Sequence, residues 1–271
     1  MIDPSASIHP TALIAPGATI AAGAKIGPFC TIGPDVVIGE GVEIISHVAV
    51  DGVTRIGADA KIFPFATIGL APQDLKYKGE PTETEIGPRT MIREHCSIHR
   101  GTATGSGITR IGADCLLMAV VHVAHDCVIN DRVIVSNNVV MGGHVEIGTG
   151  AVIGGAAAIH QFVRIGTGAM IGGVSGIPAD VVPYSLVFGA RARLAGLNIV
   201  GLKRRGLDRA ALHRVRNGFN ALFDDHGVLA ERIETVRAAY GDDPYIAEML
   251  AFITHPSSRG LITQRSRAND E

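Results

Sequence analysis

An aliphatic residue recurs at every sixth position over most of this chain. From Ile8 the steps land on Ile14, Ile20, Ile26, Ile32, Ile38, Ile44, Val50, Ile56, Ile62 and Ile68. The frame lapses at Asp74 and Glu80, then returns in phase at Ile86, Ile92 and Ile98. After a one-residue slip across Gly101–Gly107 it runs through Ile111, Leu117, Val123, Ile129, Val135, Met141, Ile147, Ile153, Ile159, Ile165, Ile171 and Ile177. A period of six fits neither the 3.6 of a helix nor the 2 of a simple strand. It fits short strands separated by turns, three to a coil, so that residues 18 apart are stacked neighbours. The position two before each aliphatic residue shares its strand face and has to be small. Cys30, Cys96, Cys115 and Cys127 all stand there, which reads them as small buried hydrophobes. Glycine often follows the aliphatic residue, as at Gly27, Gly33, Gly39, Gly57, Gly148 and Gly166, where it spares a Cβ at a tight corner.

Two excursions interrupt the repeat, at 70–85 and 101–107, and long loops on a rigid scaffold are places for function. Beyond Ile177 the period ends at Pro178 and Pro183. Asp208 is placed to N-cap a helix reaching about Asp224, with Leu212, Val215, Phe219 and Leu222 at helical spacing. Leu229 to Tyr240 reads as a second helix closed by Gly241, and Pro244 opens a third with Ile246, Met249, Leu250 and Ile253 on its apolar face. The polar stretch Gln264–Glu271 reads as a frayed tail. The expected division is residues 1–190 for the repeats and 191–271 for an α-helical C-terminal domain.

Composition agrees with a stacked architecture. Among 271 residues there are 34 glycines and no Trp, and aromatics make up 4% against 46% hydrophobic residues. The net charge of -2 gives no overall pull towards nucleic acid. No apolar run approaches the roughly 20 residues of a membrane span, and Met1 is followed by no basic or apolar leader. A cytoplasmic protein is expected. The cysteines form no C-x-x-C pair, so no zinc or redox motif is encoded locally.

The chemistry concentrates in Val120–Cys127, V-V-H-V-A-H-D-C. With 18 residues per coil, His125 stacks beneath Gly143 and Gly143 beneath Gln161, while Asp126 stacks beneath His144. Gly154-Gly155 and Gly172-Gly173 repeat at the same spacing and leave a strip bare of side chains, suited to a long apolar chain, although corner geometry alone also calls for glycine. A flat prism face encloses nothing by itself, so sites between subunits of a homo-oligomer are expected.

The I-G-x-x-x-x pattern resembles the hexapeptide-repeat proteins, which implies a mainly β fold, a left-handed parallel β-helix of nine or ten coils. A closer resemblance is carried by Q-D-L-K-Y-K-G-E-P-T (Gln73–Thr82), I-H-R-G-T (Ile98–Thr102), H-V-A-H-D-C (His122–Cys127), G-G-H (Gly142–His144), H-Q-F (His160–Phe162) and G-L-K-R-R-G (Gly201–Gly206). Together, in this order, they are similar to the UDP-N-acetylglucosamine 3-O-acyltransferases, which open lipid A biosynthesis. The resemblance implies a homotrimer that uses no cofactor and no metal. Its substrates would be UDP-N-acetylglucosamine and an acyl carrier protein bearing a 3-hydroxyacyl chain. It implies His125 as general base, a role suited to an imidazole with an ordinary pKa near 6.5, and the Gly143 N–H as oxyanion donor. It implies substrate contacts from Asp74, Lys76, His122, His144, Gln161, Asn198, Arg204 and Arg205, and an acyl groove along Gly155, Gly173 and Arg191. Glycine at 173 leaves that groove open for a relatively long chain. Arg191 and Val200 depart from the His and Glu of the family pattern. What orients His125 is left open, with Asp126 given at most a supporting role because strand neighbours face opposite ways. The basic run Lys203–Arg205 suits a diphosphate or an acidic carrier protein.

Other readings compete. A γ-class carbonic anhydrase uses the same prism and three zinc-binding histidines, and His99, His122 and His125 invite that comparison, but the motif spacing differs. The related N-acyltransferase acting later carries an N-terminal globular domain, whereas these repeats begin by Ile8. The same transfer to a 3-amino UDP sugar is kept open by Val200. A purely structural repeat protein needs neither the clustered histidines nor the loops.

Overall fold

The computed structural model describes residues 1–224 and 226–263, so the tail Gln264–Glu271 read above as frayed lies outside the described residues. The six-residue period becomes a triangular prism, a left-handed parallel β-helix. Its first face is an eleven-stranded sheet, nine strands from Ser7–Ile8 to Met170–Ile171 followed by Ser185–Phe188 and Arg193–Leu197. The second face has nine strands from Leu13–Ile14 to Gly176–Ile177, and the third eight from Thr19–Ile20 to Arg164–Ile165. Pairs such as Val123↔Met141 and Ile129↔Ile147 keep the 18-residue register. The periodic aliphatics point inward, and from Ile20 to Ile177 they are buried together with the small residues two positions earlier. All four cysteines are free and buried in that column. Burial pushes the Cys96 thiol up to about 11 and that of Cys127 to about 12, far from any reactive thiolate.

The glycine after each inward aliphatic has a reason different from turn conformation. A Cβ on Gly27 would stand 1.7 Å from the Ile45 carbonyl oxygen of the next coil, so close stacking of coils selects it. The left-handed backbone of each corner falls two residues later, and there side chains are common: Phe29, Asp126, His144 and Phe162 have φ of 59°, 59°, 62° and 64°. These corners carry the chemistry, because a side chain in a left-handed turn projects outward from the prism edge.

The first excursion is shorter than the sequence implied. Leu70 still pairs with His99, and Glu83–Ile86 is a four-residue strand, so the loop proper occupies 71–82. The helices begin after Arg193–Leu197, which pairs antiparallel with Ser185–Phe188 and closes the first face. Not anticipated from the residue pattern is α1 (Ile199–Arg204), whose N-terminus is capped by the Asn198 side chain accepting from the Gly201 N–H at 2.9 Å. α2 (Arg209–Leu222) is capped by Asp208, α3 (Leu229–Tyr240) ends at Gly241, and α4 (Pro244–Thr254) is capped by Asp243. Each carboxylate cap contributes on the order of 1 kcal/mol. Val215, Phe219, Leu222, Val236, Ile246, Met249 and Leu250 form the helical core.

Candidate active site

His125 and Asp126 occupy the turn between His122–Val123 on the second face and Val128–Ile129 on the third. Because both lie in the turn, strand alternation does not separate their side chains. Nδ1 of His125 stands 2.8 Å from Oδ2 of Asp126, so the restriction of Asp126 to a minor role is corrected: it is the group that orients the imidazole. Asp126 is itself held firmly. Its carboxylate accepts from the Thr102 hydroxyl at 2.7 Å, the Ser106 hydroxyl at 3.1 Å, and the N–H groups of Thr102 and Gly107. Burial alone would push this acid up, yet the bonds from Thr102 and His125 outweigh it and hold the carboxyl below its usual range. The Gly101–Gly107 excursion is thus a cradle for one carboxylate. With Nδ1–H donated to Asp126, the Nε2 lone pair is the basic atom of His125.

Gly143 lies one coil further along, where a Cβ would sit 2.5 Å from Cε1 of His125. Only glycine lets the imidazole lie against this backbone. Among the described residues the Gly143 N–H donates to no backbone carbonyl. His144 packs edge-on to His125 with centroids 5.1 Å apart, and its other face stacks on Phe162 at 4.4 Å and 4°. Desolvation lowers the pKa of His144, opposed by Asp126 and Asp74 and helped by His125. The 71–82 loop leaves the second face after Leu70, which pairs with His99. That loop is braced by Asp74 accepting from the Lys76 N–H at 2.9 Å and by Arg100 donating to the Tyr77 hydroxyl at 2.9 Å.

His122 meets Ser97 through Nδ1 at 2.8 Å and packs edge-on against His99 at 4.9 Å. His99 is 7% exposed, its Nδ1 has no partner among the described residues, and burial with two neighbouring imidazoles lowers its pKa to about 4. His125, Asp126 and His144 offer donor atoms within 4.8 Å of one another. Both oxygens of Asp126 are nevertheless already committed to the hydrogen bonds above, so the trio is built as an oriented base rather than as a ligand set.

Apart from Gln161, the remaining predicted residues are not brought to this corner within one chain. Asn198, Arg204 and Arg205 line a cleft of about 630 Å³ with Arg132, Gly168 and Val200, against the first face. Asn198 also donates to the Gly168 carbonyl at 3.0 Å, and Arg205 to that of Thr149 at 3.0 Å. Gly155 and Gly173 fall in the turns between the first and second faces, and Arg191 lines a cavity of about 520 Å³ with His160 and Gly176. Gln161 stands on the His125 corner, its carbonyl accepting from Arg259 at 2.8 Å. Sequence reasoning missed Ser97, Thr102, Ser106, Phe162 and Arg259. Only the 18-residue stacking of Phe162 on His144 offered a signal.

A six-residue-repeat prism bearing an oriented imidazole at its edge defines a hexapeptide-repeat transferase. Residues 108–143 match the bacterial transferase hexapeptide family, and residues 180–262 match UDP N-acetylglucosamine O-acyltransferase, domain 2. A Brucella ovis protein named acyl-[acyl-carrier-protein]–UDP-N-acetylglucosamine O-acyltransferase is 49% identical over 221 residues, 82% of this chain and 80% of that protein. LpxA from Acinetobacter baumannii superposes with a TM-score of 0.90 at 42% identity, covering 94% of this chain and 99% of the other. The UDP-N-acetylglucosamine acyltransferase of Campylobacter jejuni gives 0.90 at 36% identity, over 96% and 100%. The chain belongs to the UDP-N-acetylglucosamine O-acyltransferase family, and it is an acyltransferase.

Proposed function

We propose that this protein transfers a 3-hydroxyacyl chain from acyl carrier protein to the 3-hydroxyl of UDP-N-acetylglucosamine, the first step of lipid A biosynthesis. The observation that carries the mechanism is the His125–Asp126 hydrogen bond at 2.8 Å, with Gly143 packed against the same ring. Nε2 of His125 takes the proton of the sugar hydroxyl as its oxygen attacks the thioester carbonyl. Asp126 stabilises the resulting imidazolium without itself being protonated. The tetrahedral oxyanion accepts from the Gly143 N–H. Its collapse breaks the C–S bond, and the departing thiolate takes the proton back from His125, leaving an ester and free carrier thiol.

The substrate-binding residues sit at separate corners of one prism, which supports a cyclic homotrimer in which one subunit's His125 corner faces the Asn198–Arg205 cleft of another. Asp74, Lys76, His122, His144 and Gln161 then take the sugar side, and Asn198, Arg204 and Arg205 the nucleotide diphosphate. Gly155, Gly173 and Arg191 border the acyl groove. No described helix is long and apolar enough to cross a membrane, and a cytoplasmic site of action suits both soluble substrates. No metal or cofactor is assigned to the transfer.

Mass spectrometry of reactions between UDP-N-acetylglucosamine and a panel of 3-hydroxyacyl carrier proteins tests this reading. An ester product with a defined chain length is expected. Turnover confined to a 3-amino UDP sugar, giving an amide, would replace it.

A further inference from the structure

The end of the described chain returns to the catalytic corner. After α4 the segment runs back along the last coil, where the Asp180 N–H donates to the Gly260 carbonyl and the Ile262 N–H to the Asp180 carbonyl, each at 2.9 Å. Arg164, paired with buried Asp180 at 2.7 Å, also meets Nδ1 of His255 at 3.0 Å. Between these two anchors Arg259 donates from Nε to the Gln161 carbonyl at 2.8 Å. Its guanidinium lies 5.8 Å from the centroid of the Phe162 ring, within cation–π range. Asp126, His144 and Phe162 hold the same left-handed turn position in three successive coils. Arg259 therefore adds a fourth member to a column of carboxylate, imidazole and phenyl ring.

We propose that Arg259 is a positioning residue, which clamps Gln161 and the Phe162 ring from the C-terminal segment and, through that ring, fixes the His144 imidazole beside His125. Phe162 is 43% exposed on a turn, so packing on the prism alone leaves its ring weakly held. Asp126, 3.9 Å from Nε2, and the edge-on His125 ring face His144, and Asp74 acts on it through charge, with the Phe162 ring on its flank and the Arg259 cation beyond. The ring, by excluding water, disfavours the imidazolium. The kinetic consequence rests on the acyltransferase reading. The effect on His144 does not.

The test uses the full-length protein with Arg259→Ala, Arg259→Lys, Phe162→Leu and the Arg259→Ala/Phe162→Leu double variant. Two quantities are read: KM and kcat for UDP-N-acetylglucosamine, and the His144 titration by NMR of histidine-labelled, unliganded protein. Arg259→Ala should raise KM by roughly five- to tenfold with kcat within about twofold, an energy typical of one rung in a packed network. It should also raise the His144 pKa. Arg259→Lys, which keeps the charge and a donor, should restore most of both. On the Phe162→Leu background, Arg259→Ala should add little, because its effect runs through the ring. A folded Arg259→Ala protein with unchanged KM and unchanged His144 titration would overturn the assignment, as would full additivity with Phe162→Leu. Should Arg259→Ala not fold, Phe162→Leu with an unaltered His144 titration overturns it equally. A wild-type enzyme inactive on UDP-N-acetylglucosamine would remove the functional reading while leaving the titration to decide on Arg259.

Discussion

The Asp126 carboxylate accepts a hydrogen bond from Nδ1 of His125 across 2.8 Å, although the two residues are adjacent in the chain. A strand would point them to opposite faces. The left-handed φ of 59° at Asp126 turns its side chain back towards the imidazole, and the Thr102–Gly107 cradle fixes it there. Asp126→Asn keeps the shape but loses the charge that stabilises the imidazolium. Its kcat should fall by roughly 10²–10³, within the range of general-base contributions, with little change in KM. His125→Ala should abolish turnover with the fold retained by circular dichroism. Near-normal rates for His125→Ala would remove it from the base role.

Gly143→Ala tests the contact from the other side. The new methyl would stand 2.5 Å from His125 Cε1, and the ring has to move. Steady-state kinetics should show kcat lower by about 10² or more, comparable with losing an oxyanion donor. Thermal unfolding should shift by only a few degrees, since the atoms that the methyl would crowd belong to the His125 side chain and not to backbone. A variant that keeps wild-type kcat would place the oxyanion elsewhere.

Gly173 offers a different kind of substitution. A Cβ there meets only the Gly155 backbone, its carbonyl oxygen at 3.3 Å and its nitrogen at 3.8 Å, and otherwise points into open space. Gly173→Met should fold, and its side chain should shorten the groove. Competition between carrier proteins of different chain lengths should show preference moving to shorter chains. An unaltered profile would take Gly173 out of the acyl groove.

His99 makes stability pH-dependent. Its folded-state pKa is about 4 against an ordinary 6.5, so between those values the unfolded chain binds the extra proton and the native state does not. The stabilisation is complete above pH 6.5 and is lost progressively as pH falls towards 4, amounting to on the order of 3 kcal/mol. Denaturant midpoints measured across that window should fall with acidity, and His99→Met should flatten the slope. Asp126, whose pKa is depressed, adds a further loss only at lower pH, below the ordinary carboxylate range. Equal slopes for wild type and His99→Met would show that His99 is neutral for another reason.

Much of this was legible in the sequence. The period of six from Ile8 to Ile177 fixes which side chains point inward, because a prism built from short strands admits only small and aliphatic residues there. It places the cysteines in the core, and the 18-residue coil puts Gly143 against His125 and Asp126 beneath His144. The cap at Asp208 and the helix opening at Pro244 were readable because they are local. Less legible was α1, a single short helix whose cap, Asn198, is indistinguishable in sequence from a surface amide.

The sequence by itself determined the repeat, the inward residues, the candidate base and its axial neighbours, since all follow from a fixed translation along the prism. Only the tertiary structure decided what depends on turn geometry and on distant segments. It set the rotation that brings Asp126 onto His125 and the folding of the Thr102–Gly107 excursion around that carboxylate. It also brought Arg259 back to Gln161 and Phe162 across 98 positions of chain. No periodicity encodes those contacts. They come from the backbone conformation of individual corners and from the path of the chain after the repeat has ended.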